Sequence, residues 1–162
     1  LIIIIGLYLY LFYFLMIKIK SSIGEEIILI LLISCILSDI GGYMIGKLVG
    51  GVKLTKISPN KTISGAIGSI VFTLFGSLLM IKYLFIFDQD QIIKLLSKHF
   101  YIWLIIMSVL CQIGDLIISY MKRKAKVKDT GSLLPGHGGI LDRVDGILFA
   151  IPSGVFIYFI FN

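Results

Sequence analysis

IVFTLFGSLLMIKYLFIF, residues 70 to 87, decides the fold class, because it is apolar on every side of a helix rather than along one stripe. A helix in contact with water on one face alternates polar and apolar positions at a period of 3.6, and this stretch does not. Lipid or other helices must surround it. The whole chain agrees: of 162 residues, 58% are hydrophobic and only 15% charged, with a mean hydropathy of +1.04, well above the usual apolar share of a soluble domain.

Working outward, five stretches approach the roughly 20 apolar residues that carry a helix across a bilayer, at about 1–17, 26–46, 65–87, 100–120 and 146–161. Helix is the expected state, since a closed barrel would show short alternating strands instead. The expectation is therefore an all-α integral membrane protein, a polytopic helical bundle with about five transmembrane spans. The chain opens at Leu1 with neither an initiator Met nor a basic leader, so its first stretch reads as an interior span and the chain as a fragment lacking N-terminal spans.

Charge orients the connectors. Residues 47–64 carry Lys47, Lys53, Lys56 and Lys61 and no acid, and residues 121–145 are also net basic, whereas 18–26 and 88–99 balance acids against lysines. Two spans separate the basic connectors, so both fall on one side, which the positive-inside rule makes cytoplasmic. The net charge of +6 is thus explained by topology and calls for no nucleic acid. Cys35 and Cys111 lie inside apolar spans and read as small packing residues.

Against this background the polar residues are conspicuous. Asp39 and Asp115 fall within spans, where a carboxylate costs about 2.5–3.5 kcal/mol and faces a partner or a wet cavity. Gly42 and Gly46 have the four-residue spacing of close helix packing in lipid. Then KLTKISPNKTISG, residues 53–65, brings Ser58, Lys61 and Thr62 to the start of a span, where hydroxyls, an ammonium and helix-start amides suit an anion such as phosphate. The strongest block is 119–146. Lys122, Arg123, Lys124, Lys126 and Lys128 could serve only to hold anionic lipid heads, but PGHGG, residues 135–139, adds glycines around His137 that let backbone approach a ligand. Asp142 and Asp145 follow, three apart, with Arg143 between them. Carboxylates beside a basic, glycine-rich loop are suited to a magnesium-bound phosphate ester. No ligand set has zinc spacing.

These residues also carry a resemblance. Ser119, Lys122-Arg123, Lys128-Asp129, Gly131, Leu134-Pro135, His137-Gly138-Gly139, Asp142-Arg143 and Asp145 match the signature of the phosphatidate cytidylyltransferase (CDP-diglyceride synthetase) family at each fixed position and spacing. Asp39 with Gly42-Tyr43 and Gly46 resembles that family's Asp-small-small-Tyr-x-x-Gly segment, and Ser58-Pro59-x-Lys61-Thr62-x-x-Gly65 its Ser-Pro-x-Lys-Thr loop. Two positions depart: Ile118 and Ser64 stand where many members have an acid.

The resemblance implies one transmembrane catalytic domain over 1–162, with cytoplasmic loops at about 47–64 and 121–145. It implies transfer of CMP from CTP to phosphatidic acid, giving CDP-diacylglycerol and pyrophosphate, among membrane lipids; the connector charge puts the site at the cytoplasmic side of the inner membrane, and a homodimer is the candidate assembly. Within it, Asp115, Asp142 and Asp145, with Asp39 as a further candidate, are expected to hold Mg2+. Lys122, Arg123, Lys128 and Arg143 are expected to neutralise phosphates, and Ser58, Lys61, Thr62, Ser119, Asp129, His137, Gly138 and Gly139 to bind substrate. The rival readings are a CTP-dependent transferase acting on another lipid phosphate or a polyprenol, and an ion-transporter subunit whose Asp39 and Asp115 line a path.

Overall fold

The computed structural model describes residues 2–22, 25–55, 58, 60–84, 98–127 and 141–161. Among them lie five helices: α1 (Ile2–Ser22), α2 (Glu25–Val49), α3 (Ile63–Leu84), α4 (Lys98–Lys124) and α5 (Leu141–Phe161). Each covers one of the five apolar stretches. The run Ile2–Ile5 opening α1 is β-branched, a composition that favours strands in water. In hydrocarbon the backbone must satisfy itself within the segment, and helix wins.

The chain is an all-α membrane protein. Three helices contain runs long and apolar enough to cross a bilayer, Ile28–Val49, Ile63–Lys82 and His99–Lys124, while the corresponding described runs in α1 and α5, Gly6–Lys18 and Gly146–Ile157, are shorter. Large apolar side chains such as Leu48, Phe75 and Phe156 face outward, as lipid allows and water does not. The basic connectors are shorter than the charge pattern implies, because α2 runs on to Val49 and α4 carries Lys122, Arg123 and Lys124 on its last turn.

Helices α2 and α3 form an antiparallel pair whose backbones touch. A Cβ on Gly65 would stand 2.7 Å from the carbonyl oxygen of Gly42, and one on Gly41 would stand 2.6 Å from that of Gly68. Only glycine permits that approach, so the spacing of Gly42 and Gly46 does mark a packing face, extended by Gly41, Gly65 and Gly68. Beyond the glycines, hydroxyls join the helices. Ser69 Oγ donates to the Ser38 carbonyl at 2.7 Å, Ser34 and Ser77 hydroxyls meet at 3.0 Å, and Ser38 reaches Ser108 of α4 at 3.0 Å. Each such bond is worth on the order of 0.6 kcal/mol, because the same groups find other partners when the helices are apart in the membrane.

The core, Leu31, Cys35, Leu104, Met107, Cys111 and Ile151 among others, fills the space between α2, α4 and α5. Both cysteines are free and buried. Helices α4 and α5 run antiparallel, with Gly146 against Cys111, and the Trp103 indole donating to the Gly154 carbonyl at 2.9 Å. Pro152 interrupts α5, and having no N–H it leaves the carbonyl of Leu148 without its helical donor. The hydroxyl of Tyr8 on α1 donates to that carbonyl. A neighbouring helix thereby repairs the break, the condition under which a transmembrane helix tolerates proline.

Two stability predictions follow from these contacts. Gly41→Ala should cost about 1–3 kcal/mol through forced separation of α2 and α3, whereas Gly6→Ala, which meets nothing within 4 Å, should be neutral or slightly stabilising. Tyr8→Phe should cost about 1–3 kcal/mol by leaving the Leu148 carbonyl unpaired. Thermal unfolding of the protein in detergent, read through its single tryptophan, Trp103, measures both.

Candidate active site

The C-terminal ends of α2 and α4 and the N-terminal ends of α3 and α5 share one end of the bundle, as the antiparallel contacts require. Lys47, Lys53 and Lys61 of the first basic block and Lys122, Arg123 and Lys124 of α4 therefore lie at the same end. There a cavity of about 300 Å³ opens between α2, α3, α4 and the 50–62 connector.

The connector is shaped locally. Gly50, with φ +64°, ends α2 in the left-handed conformation and donates to the Gly46 carbonyl at 3.1 Å. The chain then folds back on itself: Leu54 N–H donates to the Lys61 carbonyl at 2.7 Å, and Ile63 N–H to the Val52 carbonyl at 3.0 Å. Thr62 caps α3, its Oγ1 accepting from the Gly65 amide at 3.1 Å. Two of the helix-start amides, those of Ile63 and Gly65, are thus already bonded within the protein, so the loop offers a ligand chiefly its side chains. Ser64 donates its hydroxyl to the Gly50 carbonyl and closes the connector onto α3. An ionised carboxylate could not make that bond.

Ser58, Asn60, Lys61 and Thr62 line the cavity from the connector, Asp39 and Tyr43 from α2, and Gln112 and Asp115 from α4. Three sequence blocks far apart in the chain, around 39–46, 58–65 and 112–119, therefore meet. At their junction the Lys61 ammonium pairs with the Asp115 carboxylate, and Ser119, one turn further along α4, lies 3.4 Å from the same carboxylate as a donor. Asp39 is exposed and accepts from the Cys111 thiol at 3.9 Å. At the rim, Lys47 Nζ lies 3.4 Å from the Tyr43 hydroxyl and 5.6 Å from the centre of its ring.

Lys122 and Arg123 occupy the last turn of α4, Lys122 half-buried and Arg123 exposed. Asp142, Arg143 and Asp145 fall on the opening turns of α5 by backbone position. Lys128, Asp129, His137, Gly138 and Gly139 lie outside the described residues. For a divalent cation, Asp39 and Asp115 present hard oxygen donors on one cavity, the type that magnesium takes; among the described residues no group of three His, Cys, Asp or Glu side chains gathers. Sequence reasoning did not single out Gln112 or Asn60, whose uncharged amides give no signal at membrane depth until the cavity is seen.

The model of the cytidylyltransferase family matches residues 1–161. Among similar proteins, a phosphatidate cytidylyltransferase of Staphylococcus haemolyticus is 46% identical over 117 residues, covering 72% of this chain and 42% of its own length. One from Helicobacter pylori is 39% identical over 139 residues, covering 85% and 49%, and one from Bacillus subtilis is 42% identical over 126 residues, covering 76% and 42%. The chain thus spans less than half the length of these relatives.

With both partners of the Lys61–Asp115 pair about a quarter exposed, a double-mutant cycle with Lys61→Met and Asp115→Asn should give a coupling of only about 0.5–1 kcal/mol in thermal unfolding. The pair is then a property of the site more than a support of the fold.

Proposed function

This chain belongs to the cytidylyltransferase family, and we propose that its cavity is the place where CMP passes from CTP to phosphatidic acid, giving CDP-diacylglycerol and pyrophosphate. The observation that carries the reading is the convergence of Asp39, the Ser58–Thr62 loop and Asp115 on one cavity at the basic end of the bundle. A lipid phosphate at the headgroup plane and a soluble triphosphate meet there. On the positive-inside argument that end faces the cytoplasm, with the bundle in the inner membrane.

In this reading an oxygen of the phosphatidate phosphate attacks the α-phosphorus of CTP. The new P–O bond forms as the bond to the bridging oxygen breaks, and pyrophosphate leaves with that electron pair. A phosphate monoester is ionised near neutral pH, so the attack needs no general base. Most of the acceleration comes from alignment and charge neutralisation. Lys61, Ser58 and Ser119 hold phosphate oxygens. Lys122, Arg123, Lys128 and Arg143 supply positive charge around the triphosphate, and Asp129, His137, Gly138 and Gly139 complete the phosphate loop. Thr62 acts chiefly as the cap that fixes Lys61 in place. Asp115 and Asp142 would hold magnesium, with Asp145 and Asp39 as further oxygen donors, and the ion would supply charge neutralisation at the phosphates. The candidate assembly remains a homodimer, which crosslinking in native membranes would test.

Membranes containing the intact protein should convert radiolabelled CTP and phosphatidate to CDP-diacylglycerol only with magnesium present. Asp115→Asn and Asp142→Asn should each lower that rate by at least about 100-fold. Absence of product from a well-inserted protein across several phospholipids would overturn the assignment.

A further inference from the structure

The inner wall of the cavity carries a side chain to which neither the charge pattern nor the family resemblance gave a role. Gln112 lies on α4 three residues before Asp115, about 4.5 Å along the helix axis. Its Nε2 donates to the Ala66 carbonyl of α3 at 3.3 Å and to the Ser108 hydroxyl at 3.5 Å. Chemistry fixes which end of the amide is which, because a backbone carbonyl only accepts and the group facing Ala66 must be the nitrogen. Both amide hydrogens are then in use.

The oxygen, Oε1, is directed away from those partners. Among the described residues no donor reaches it, yet no buried side-chain nitrogen or oxygen lacks a partner. In a half-buried residue that lines the cavity, Oε1 is consequently open to whatever the cavity holds. The surrounding wall offers little hydrogen-bond donation: Ser69 Oγ is committed to the Ser38 carbonyl, and Ser38 shares a bond with Ser108. The charged groups Lys61 and Asp115 lie beside this wall, so a bound molecule with a neutral ring and an anionic tail has a place for each.

We propose that Gln112 determines nucleobase specificity, its Oε1 accepting a hydrogen bond from the exocyclic amine of cytosine; this rests on the cytidylyltransferase reading above. Uracil carries a carbonyl oxygen where cytosine carries that amine, so with uracil two acceptors would face each other. The amide cannot turn over to accommodate uracil. Its nitrogen would leave Ala66 and Ser108, and its oxygen would confront the Ala66 carbonyl. A fixed acceptor therefore favours cytosine by a bond gained and rejects uracil by an unpaired pair of acceptors.

The test is competition against radiolabelled CTP on the intact protein in nanodiscs, using UTP and N4,N4-dimethyl-CTP, which lacks both amine hydrogens. The unsubstituted protein should prefer CTP over each competitor by about tenfold or more, and Gln112→Leu should shrink both preferences to about twofold or less. If the leucine variant does not yield folded protein, Gln112→Met, closer in length and shape, is read the same way. A variant that weakens CTP and UTP by the same factor would make Gln112 a structural link only, and equal binding of CTP and UTP by the unsubstituted protein would also overturn the inference. Failure to bind any nucleotide would instead remove the cytidylyltransferase reading itself, so the two failures are told apart.

Discussion

Helices α2 and α3 touch backbone to backbone, and the wall that they and their connector give the cavity depends on that contact. Between lipid-immersed helices there is no hydrophobic drive to association, so close van der Waals contact and interhelical hydrogen bonds must supply it. Gly41, Gly42, Gly65 and Gly68 remove the side chains that would hold the two backbones apart. The approach then brings Ser69 within 2.7 Å of the Ser38 carbonyl. It also leaves the 50–62 connector so short a span to bridge that it folds back on itself and presents Lys61 toward α4.

The pairing of Lys61 with Asp115 shows how charge is managed at this depth. Each group alone would be costly beside hydrocarbon, and together they neutralise one another while both keep partial access to the cavity. On the proposed reading, a phosphate entering the cavity would compete for Lys61 and a divalent cation for Asp115. Neither ligand meets a bare charge, and each finds its counter-group already held by α4 or by the capped start of α3.

Much of this was legible in the sequence because lipid removes alternatives. A run such as residues 70–87 has no stable state but helix, and charge asymmetry between connectors fixes which ends lie together. The glycine spacing at 42 and 46 likewise reads directly as packing. The hydroxyl pairs did not read. A serine in a helix can satisfy itself on a carbonyl of its own preceding turn, so nothing in the sequence says that Ser34 will choose Ser77 or that Ser38 will choose Ser108. Polar side chains accordingly run deeper into the bundle than the gathering of Asp39 and Asp115 toward one end suggests. They bond to each other rather than lining a path for ions. Gln112 was silent for a related reason, since the orientation that gives it meaning is set by a carbonyl on another helix.

The bond from Tyr8 to the Leu148 carbonyl joins residues 140 positions apart, and it has a consequence in time. At ordinary rates of synthesis, α5 emerges on the order of 10 s after α1. Until it does, Tyr8 lacks this partner, and until α1 is reached, α5 carries a carbonyl that hydrocarbon cannot solvate. For this bond to form, helix α1 must stand beside the bundle when α5 arrives, so α5 closes against a helix already in place. Pro152, which weakens α5 taken alone, makes the closure of the bundle selective for the neighbour that brings a hydroxyl to that depth.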